Sequence, residues 1–425
     1  MAKKTIYDAV VIGAGASGLM AAVTAARLGA AVVLLEHMEQ PAKKILATGN
    51  GKCNYTNADQ NLENYYCEQP DFIRTVLAQF SYKDTIRFFN QLGIRPVEKN
   101  GTCMYPESEQ ASSVRNVLLA EVRRLQVPLF LSVGIRSIHK LQNNNGTKNR
   151  GRQVFEIQAK DETFYAHACI LATGGMAAKK TGSDGSGYVY AKQLGHTIVK
   201  PLPALTALLV DAKNQKLPAG VRIPCAVSLY ADGKQKALER GELQITDYGI
   251  SGIVIFQFGR IASRALENGQ RVSVCLDFKP DMETETLLSY LTERFGSIYQ
   301  KQKNLADGLI GFLPDKLIPV LLKQAGLRTD EHCGNVNRKQ IARLTGQIKQ
   351  YDADVTGVKG FDAAQVTTGG VPVREICARR MESKKVPGLY FAGEIVDVDG
   401  KCGGYNLQWA WSSGYAAGKS IAECK

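Results

Sequence analysis

Gly13-Ala14-Gly15-Ala16-Ser17-Gly18 is the stretch that decides how this chain folds. It follows the β-branched apolar run Ile6 to Ile12, which reads as a buried parallel strand. It opens an alanine-rich helical pattern from Ser17 to Leu28 that stops at Gly29, and a second buried strand is predicted over Ala31 to Leu35, with Glu36 at its end. The spacing gives each glycine a task. Gly13 permits the tight turn, Gly15 lets the backbone approach a pyrophosphate, and Gly18 lets the helix lie close on the strand. Ala14, Ala16 and Ser17 complete the phosphate-facing turn, where the helix N-terminus offers N–H donors and a partial positive charge. Glu36 is placed to accept hydrogen bonds from a ribose. A dinucleotide-binding βαβ unit therefore opens the chain.

The bulk composition agrees with an ordinary globular protein. The chain has 425 residues, 44% apolar and 22% charged, enough for several domains and a sizeable core. Lysine and arginine outnumber aspartate and glutamate by 53 to 40, a formal charge of +13. The basic residues are spread out, with short clusters at Lys43-Lys44, Lys179-Lys180 and Lys384-Lys385 and no basic arm. That pattern suits a diffuse field around an anionic small-molecule substrate and does not call for nucleic acid as a partner. Ten cysteines fall at positions 53, 67, 103, 169, 225, 275, 333, 377, 402 and 424, with no CxxC pair and no metal-finger spacing. No bound metal is expected, and unpaired thiols suit a reducing, cytoplasmic location. The Met-Ala-Lys-Lys opening precedes an apolar run too short for a signal peptide, and no apolar stretch reaches membrane-span length.

Further along, Pro41 to Asn57 is a polar, glycine-containing loop, and Phe72 to Leu92 carries helical spacing. Pro128 to Ile138 and Gln153 to Ala159 alternate like strands around the turn-rich Asn143-Asn144-Asn145-Gly146, suggesting a β-meander, and Ala168 to Ala172 reads as another buried strand. The expected organisation is a first part of the nucleotide domain over residues 1–200, a β-rich insertion over 201–280, with a turn at Ala231-Asp232-Gly233, a helical insertion over 281–350, and the returning nucleotide domain over 351–425.

Two later segments bear on the cofactor. Leu171-Ala172-Thr173-Gly174-Gly175 ends a strand in small residues that let the chain pass close to a ligand. Gly388-Leu389-Tyr390-Phe391-Ala392-Gly393-Glu394 gives a late strand and glycine, followed by Asp397, Asp399 and a glycine-rich run from Gly400 to Gly404. Together with the opening unit these resemble the flavoprotein superfamily in which the C-terminal strand and helix cradle the flavin end of FAD. Thr48-Gly49-Asn50-Gly51-Lys52-Cys53-Asn54-Tyr55-Thr56-Asn57 is similar to the SGxGRCNxTN loop of bacterial aminoacetone oxidase-like NAD(P)/FAD-dependent oxidoreductases, with Lys52 where arginine is common. Thr368-Gly369-Gly370-Val371, Met381-Glu382-Ser383-Lys384 and Gly403-Gly404-Tyr405-Asn406-Leu407-Gln408-Trp409-Ala410 repeat that family's closing pattern.

The resemblance implies a two-dinucleotide-binding-type α/β fold holding FAD. It implies cofactor contacts from Lys44, Thr48 to Asn54, Val133, Ala172 to Gly174, Gly393, Glu394, and Gly404 to Leu407, beside the N-terminal glycines and Glu36. The family includes a gut-bacterial bile-acid reductase acting on conjugated 3-oxo-Δ4 and Δ6 double bonds, so the implied activity is NAD(P)H-dependent reduction of an anionic, steroid-like enone. An amine or aminoketone oxidase and a flavin-bearing RNA-binding or redox-sensing protein are the alternatives. Tyr405 is the residue to test first as donor to the substrate, although a tyrosine that simply packs and bonds locally is the more economical reading. Cys53 lacks the partner of a CxxxxC redox pair, since position 58 is alanine, and reads as structural. Thr181 to Tyr188 resembles a glycine-rich turn found near the flavin in fumarate-reductase-type proteins. No second strand-GxGxxG-helix occurs, which argues against a separate NAD(P)H domain. Of the five histidines, His196 and His332 fall within or beside predicted helices and carry no partner pattern, and all five read as structural or solvent-facing.

Overall fold

The structure is a computed structural model describing residues 5–141, 153–211 and 217–424. The opening Met-Ala-Lys-Lys and the Asn143 to Gly146 turn lie outside the described residues. The chain forms two units, Met1–Leu202 with Val366–Lys425, and Pro203–Gln365.

The first unit is organised by five parallel strands drawn from distant parts of the chain. In spatial order they are Leu129–Phe130, Val32–Leu35, Ile6–Ile12, Thr163–Leu171 and Leu389–Phe391. The sheet continues antiparallel through Glu382–Ser383 and Ile376–Cys377. Ile135–Leu141 and Val154–Ala159 form the expected meander with Thr163–Leu171. Ala9, Val10 and Val11 are fully buried because the middle strand is covered on both faces, which is why it reads as an unbroken apolar run. One cover is a helix pair, Ala16–Arg27 against Tyr405–Glu423. Their approach requires small residues, since a Cβ on Gly414 would stand 2.4 Å from the Ser17 carbonyl oxygen and one on Gly418 would stand 2.3 Å from that of Ala21.

The helical pattern from Phe72 to Leu92 is two helices, Pro70–Gln79 and Tyr82–Gln91. Ser81 breaks it: its hydroxyl accepts from the Asp84 N–H while the Asp84 carboxylate accepts from the Ser81 N–H, a reciprocal cap that starts the second helix.

The second unit is a closed barrel of six strands, Leu208–Val210, Gly249–Ser251, Lys234–Ile245, Arg222–Ala231, Val272–Asp277 and Tyr351–Val358 in spatial order. Asp232 and Gly233, at φ of 48° and 73°, make the two-residue turn between its long strands. Four helices, Thr284–Gly296, Leu305–Leu309, Ile318–Gln324 and Arg338–Lys349, lie between its last two strands in sequence. Leu287, Leu291, Leu321 and Leu344 share one core with Val227, Val274 and Leu276 of the barrel. A division near residue 280 would therefore cut through that core, and Tyr351–Val358, grouped by sequence with the returning nucleotide half, closes the barrel instead.

Replacing Ser81 with alanine removes the helix cap and should lower stability by about 1 kcal/mol, read from urea unfolding.

Candidate functional site

All five parallel strands end at residues singled out above. Ile12 leads into Gly13, Leu35 into Glu36, Leu171 into Ala172 to Gly174, Phe391 into Gly393 and Glu394, and Phe130 toward Val133. In an open α/β sheet the ligand crevice lies at these carboxyl ends, where chain reversals expose backbone donors.

The opening turn is fixed by close approach on two sides. A Cβ on Gly18 would stand 1.8 Å from the Gly13 carbonyl oxygen, and one on Gly13, at φ 101°, would stand 2.5 Å from that of Ala172. Gly15, by contrast, has nothing within 4 Å of a built Cβ. It is the N-cap of the first helix, which has neither a side-chain cap nor an acidic residue in its first turn. Its positive end is open to an anion. Glu36 is buried and accepts from the Ala14 N–H at 2.8 Å and from the Met38 N–H at 2.9 Å, so it braces the turn as well as bordering it. The Val133 N–H donates to the Glu36 carbonyl at 2.9 Å, which ties the outermost parallel strand to the same corner. Ser17 donates to the Ala392 carbonyl at 3.2 Å.

The polar loop is brought against the late strand. Lys44 pairs with Glu394 at 2.8 Å, and the other Glu394 oxygen accepts from the Thr367 N–H at 2.9 Å. Thr48 donates to the Ile45 carbonyl, and Gly49, Asn50, Gly51 and Cys53 all have positive φ, which winds the loop tightly. Lys52 is half exposed and pairs with Glu109 at 2.7 Å. Cys53 is fully buried, and burial pushes its thiol up to about 12, which suits the structural reading of this residue. Two buried oxygens beside these turns, Asn54 Oδ1 and Thr173 Oγ1, have no hydrogen-bond partner among the described residues. Buried polar atoms are rarely left so without a ligand or water to meet them. With the open Gly15 and the uncapped helix, they fit a long polar nucleotide.

The C-terminal helix holds these parts in register. Trp409 Nε1 donates to the Gly393 carbonyl at 3.1 Å, and the Gly393 N–H donates to Ser413 Oγ at 2.9 Å, so one turn of helix grips both sides of that glycine. Trp411 Nε1 donates to the Tyr55 carbonyl at 2.8 Å. Gln408 accepts from Thr56 and Thr85 and donates to the Phe80 carbonyl and Ser412, all buried. Asn406 brackets Gly400 with two bonds of 2.8 Å. Gly404, at φ 93°, starts the helix, and a Cβ there would stand 2.9 Å from Asn54 Oδ1. Leu407 packs on the core. Tyr405 is buried and donates to Asp59 Oδ2 at 3.3 Å. Burial and the Asp59 carboxylate both raise its phenol, while the Asn61 N–H is the largest of several influences that lower Asp59. The gripping roles of Gln408, Trp409, Trp411 and Ser413 are absent from the sequence reading. Their one trace is polar residues on a helix turned inward.

In the glycine-rich turn, a Cβ on Gly187 would stand 1.8 Å from Thr173 Oγ1, so this helix start must carry glycine to lie beside the small-residue strand end. His196, whose partners no sequence pattern reveals, is a structural histidine with two: its Nδ1 lies 2.8 Å from Glu375 and its Nε2 2.8 Å from Ser383 Oγ. Ser383 Oγ already accepts the N–H groups of Lys385 and Val386, so its own proton goes to Nε2 and the Nδ1 proton goes to Glu375. The group is buried and ties the Met381-Glu382-Ser383-Lys384 segment of the sheet to the chain that follows the helix Ser186–Gln193. Sequence separations of 179 and 187 residues hid it. No group of three or more metal-ligating side chains occurs among the described residues, and no helix among them is long and apolar enough to cross a membrane.

A Rossmann sheet with its ends gathered in this way, interrupted by a barrel, is the architecture of a flavoprotein oxidoreductase. The chain belongs to the family of the HI0933-like protein Rossmann domain, which it matches over residues 7–420. It is 40% identical over 417 residues to the 3-dehydro-bile acid delta(4,6)-reductase of Clostridium scindens, covering 97% of this chain and 98% of that one. It is 30% identical over 422 residues to the ribosomal RNA dihydrouridine synthase of Escherichia coli, covering 99% of both, and 30% identical over 415 residues to that of Haemophilus influenzae, covering 97% of this chain and 98% of that one. Among solved structures, the 3-ketosteroid delta1-dehydrogenase of Sterolibacterium denitrificans shares the fold, with a TM-score of 0.51 at 14% identity, covering 99% of this chain and 100% of that one.

Burial works to raise the Glu375 carboxyl, but hydrogen bonds from Lys385, Thr197 and His196 outweigh it and hold the group at about 2. Its stabilising contribution is therefore complete above the ordinary carboxylate value and lost as pH falls toward 2. Glu375→Ala should cost about 3 kcal/mol at neutral pH. The difference between variant and wild type in urea unfolding should shrink on acidification through that window.

Proposed function

We propose that the protein is an FAD-dependent reductase that uses NAD(P)H to add hydrogen across a C=C bond conjugated to a carbonyl, in a bile-acid or other steroid-like substrate. The observation that carries the cofactor assignment is the open Gly15 turn at an uncapped helix start, and the unpartnered buried oxygens of Asn54 and Thr173 support it. Gly13 to Gly18 and Glu36 would hold the adenosine and pyrophosphate half. Lys44, Thr48 to Asn54, Val133, Ala172 to Gly174, Gly393, Glu394 and Gly404 to Leu407 would hold the remainder. When bound, FAD supplies a hydride that it has accepted from the nicotinamide.

The reaction type is supported by what unlike relatives have in common. Saturating a Δ4 or Δ6 bond of a 3-oxo bile acid and saturating uridine to dihydrouridine both act on a C=C bond conjugated to a carbonyl. In either case the chain must stabilise negative charge on the carbonyl oxygen and provide a proton for the α-carbon. Tyr405, in the first turn of the C-terminal helix, is the sequence's candidate for that work. The steroid is favoured by the higher identity to the bile-acid enzyme, and its carboxylate suits a chain of net charge +13. The same charge, with two relatives that act on ribosomal RNA, favours uridine in RNA as the second reading.

Under nitrogen, NADH or NADPH should bleach the yellow protein, and a 3-oxo-Δ4 bile acid should restore the colour with loss of the enone. Restoration by unmodified ribosomal RNA instead, with dihydrouridine formed, selects the second reading. Bleaching by an amine without nicotinamide, with peroxide formed in air, would replace both by an oxidase. Gly15→Val, which fills the open turn, should leave the protein colourless yet folded.

A further inference from the structure

Tyr405 is not the only phenol at the start of the C-terminal helix. Tyr65, on the short strand Tyr65–Tyr66, pairs with Gly400 of the strand Asp399–Gly400 and meets Tyr405 edge-on, with ring centroids 5.5 Å apart at 84°. Gly400 makes room for both: a Cβ there would stand 2.7 Å from Tyr405 Cβ and 3.4 Å from the Tyr65 ring. The two phenols differ in what their protons do. Tyr405 gives its proton to Asp59, which also accepts from Asn64 at 2.8 Å and from the Asn61 N–H at 3.0 Å. Tyr65 is only 5% exposed, and its hydroxyl has no partner among the described residues.

We propose that Tyr65 is the hydrogen-bond donor to the carbonyl oxygen of the substrate, an assignment that rests on the reading of the protein as a reductase of carbonyl-conjugated C=C bonds. A buried hydroxyl without an acceptor is destabilising, and such groups persist where a ligand completes them. The arriving carbonyl is an acceptor of the right kind. In the reaction a hydride, which bound FAD would supply in its reduced form, adds to the β-carbon, and the π electron pair moves onto the carbonyl oxygen as an enolate. Tyr65 meets that charge with a proton it keeps. The α-carbon then takes one proton that solvent delivers by way of the exposed Asp59, to which Tyr405 stays hydrogen-bonded. Hydride and proton add, and nothing leaves.

The other buried phenols without partners are less suited. Tyr351 belongs to the barrel unit, and Tyr55 is packed edge-on against Phe89 beside the buried Cys53. Tyr188 feels two carboxylates, Glu394 and Asp397, where Tyr65 feels one, Asp59, so developing negative charge is opposed more strongly beside Tyr188.

The test compares Tyr65→Phe, Tyr405→Phe and Tyr188→Phe with wild type, all loaded with FAD, using a 3-oxo-Δ4 bile acid and, separately, a uridine-containing ribosomal RNA fragment. A donor to the carbonyl shifts the absorption of a bound steroid enone to longer wavelength. Tyr65→Phe should lose that shift and about 100-fold in kcat, with Tm unchanged or higher because an unsatisfied hydroxyl has been removed. Tyr188→Phe should keep the shift. Tyr65→Phe with full turnover and an unaltered enone spectrum overturns the assignment, as does a fallen Tm, which would mean that the hydroxyl is bonded within the fold. If wild type reduces neither substrate, the underlying reading fails and the Tyr65 proposal falls with it.

Discussion

Close backbone contact at the first turn is the constraint on which the rest of the structure depends. Gly18 lies against Gly13, and Gly13 lies against Ala172, at separations that leave no room for a side chain. Those two contacts bring the first helix, the first strand and the small-residue strand end into one corner. A third follows from them: a Cβ on Gly393 would stand 2.4 Å from Ser17 Oγ, which places the late strand end on the same helix start. Three segments separated by more than a hundred residues each thus meet because glycine allows it. The loop-closure entropy is offset by a core in which the middle strands are fully buried.

Given that corner, the remaining polar contacts are arranged to support it. Glu36 braces the turn from the second strand, and Lys44–Glu394 ties the polar loop to the late strand. The C-terminal helix then acts as a clamp. Gly414 and Gly418 bring it down on the first helix, which sets Trp409 and Ser413 at the height of Gly393 and sets Trp411 and Gln408 against the polar loop. Because each of these bonds is buried, each is directional and expensive to lose, so the clamp fixes geometry as well as stability. Among the buried side-chain atoms of the described residues that stay unsatisfied are Asn54 Oδ1 and Thr173 Oγ1, in the polar loop and at the small-residue strand end, and the Tyr65 hydroxyl near the helix start.

The parts legible in the sequence were those whose physics is local. The run Ile6 to Ile12, the glycine spacing and the position of Glu36 give a strand, turn and helix that the structure reproduces to within a residue or two. The small residues after Leu171 and Phe391 announced close approach, and the barrel's long hairpin was visible in Asp232-Gly233. Less legible were features fixed by partners far away. The break at Ser81 was encoded by a local serine and aspartate but masked by continuous apolar spacing on either side. Strand Tyr351–Val358 alternates as any strand does, and only its pairing with Val272–Asp277 and Leu208–Val210 assigns it to the barrel. His196 shows the same limit, since neither Glu375 nor Ser383 can be associated with it by spacing.

The central claim is that the crevice at the carboxyl ends of these strands takes one FAD, and equilibrium titration of the flavin-stripped protein with FAD tests it most directly. Saturable binding of one FAD per chain is expected, with riboflavin, which lacks the pyrophosphate and adenosine, binding far more weakly. Absence of saturable FAD binding to a demonstrably folded protein would contradict it.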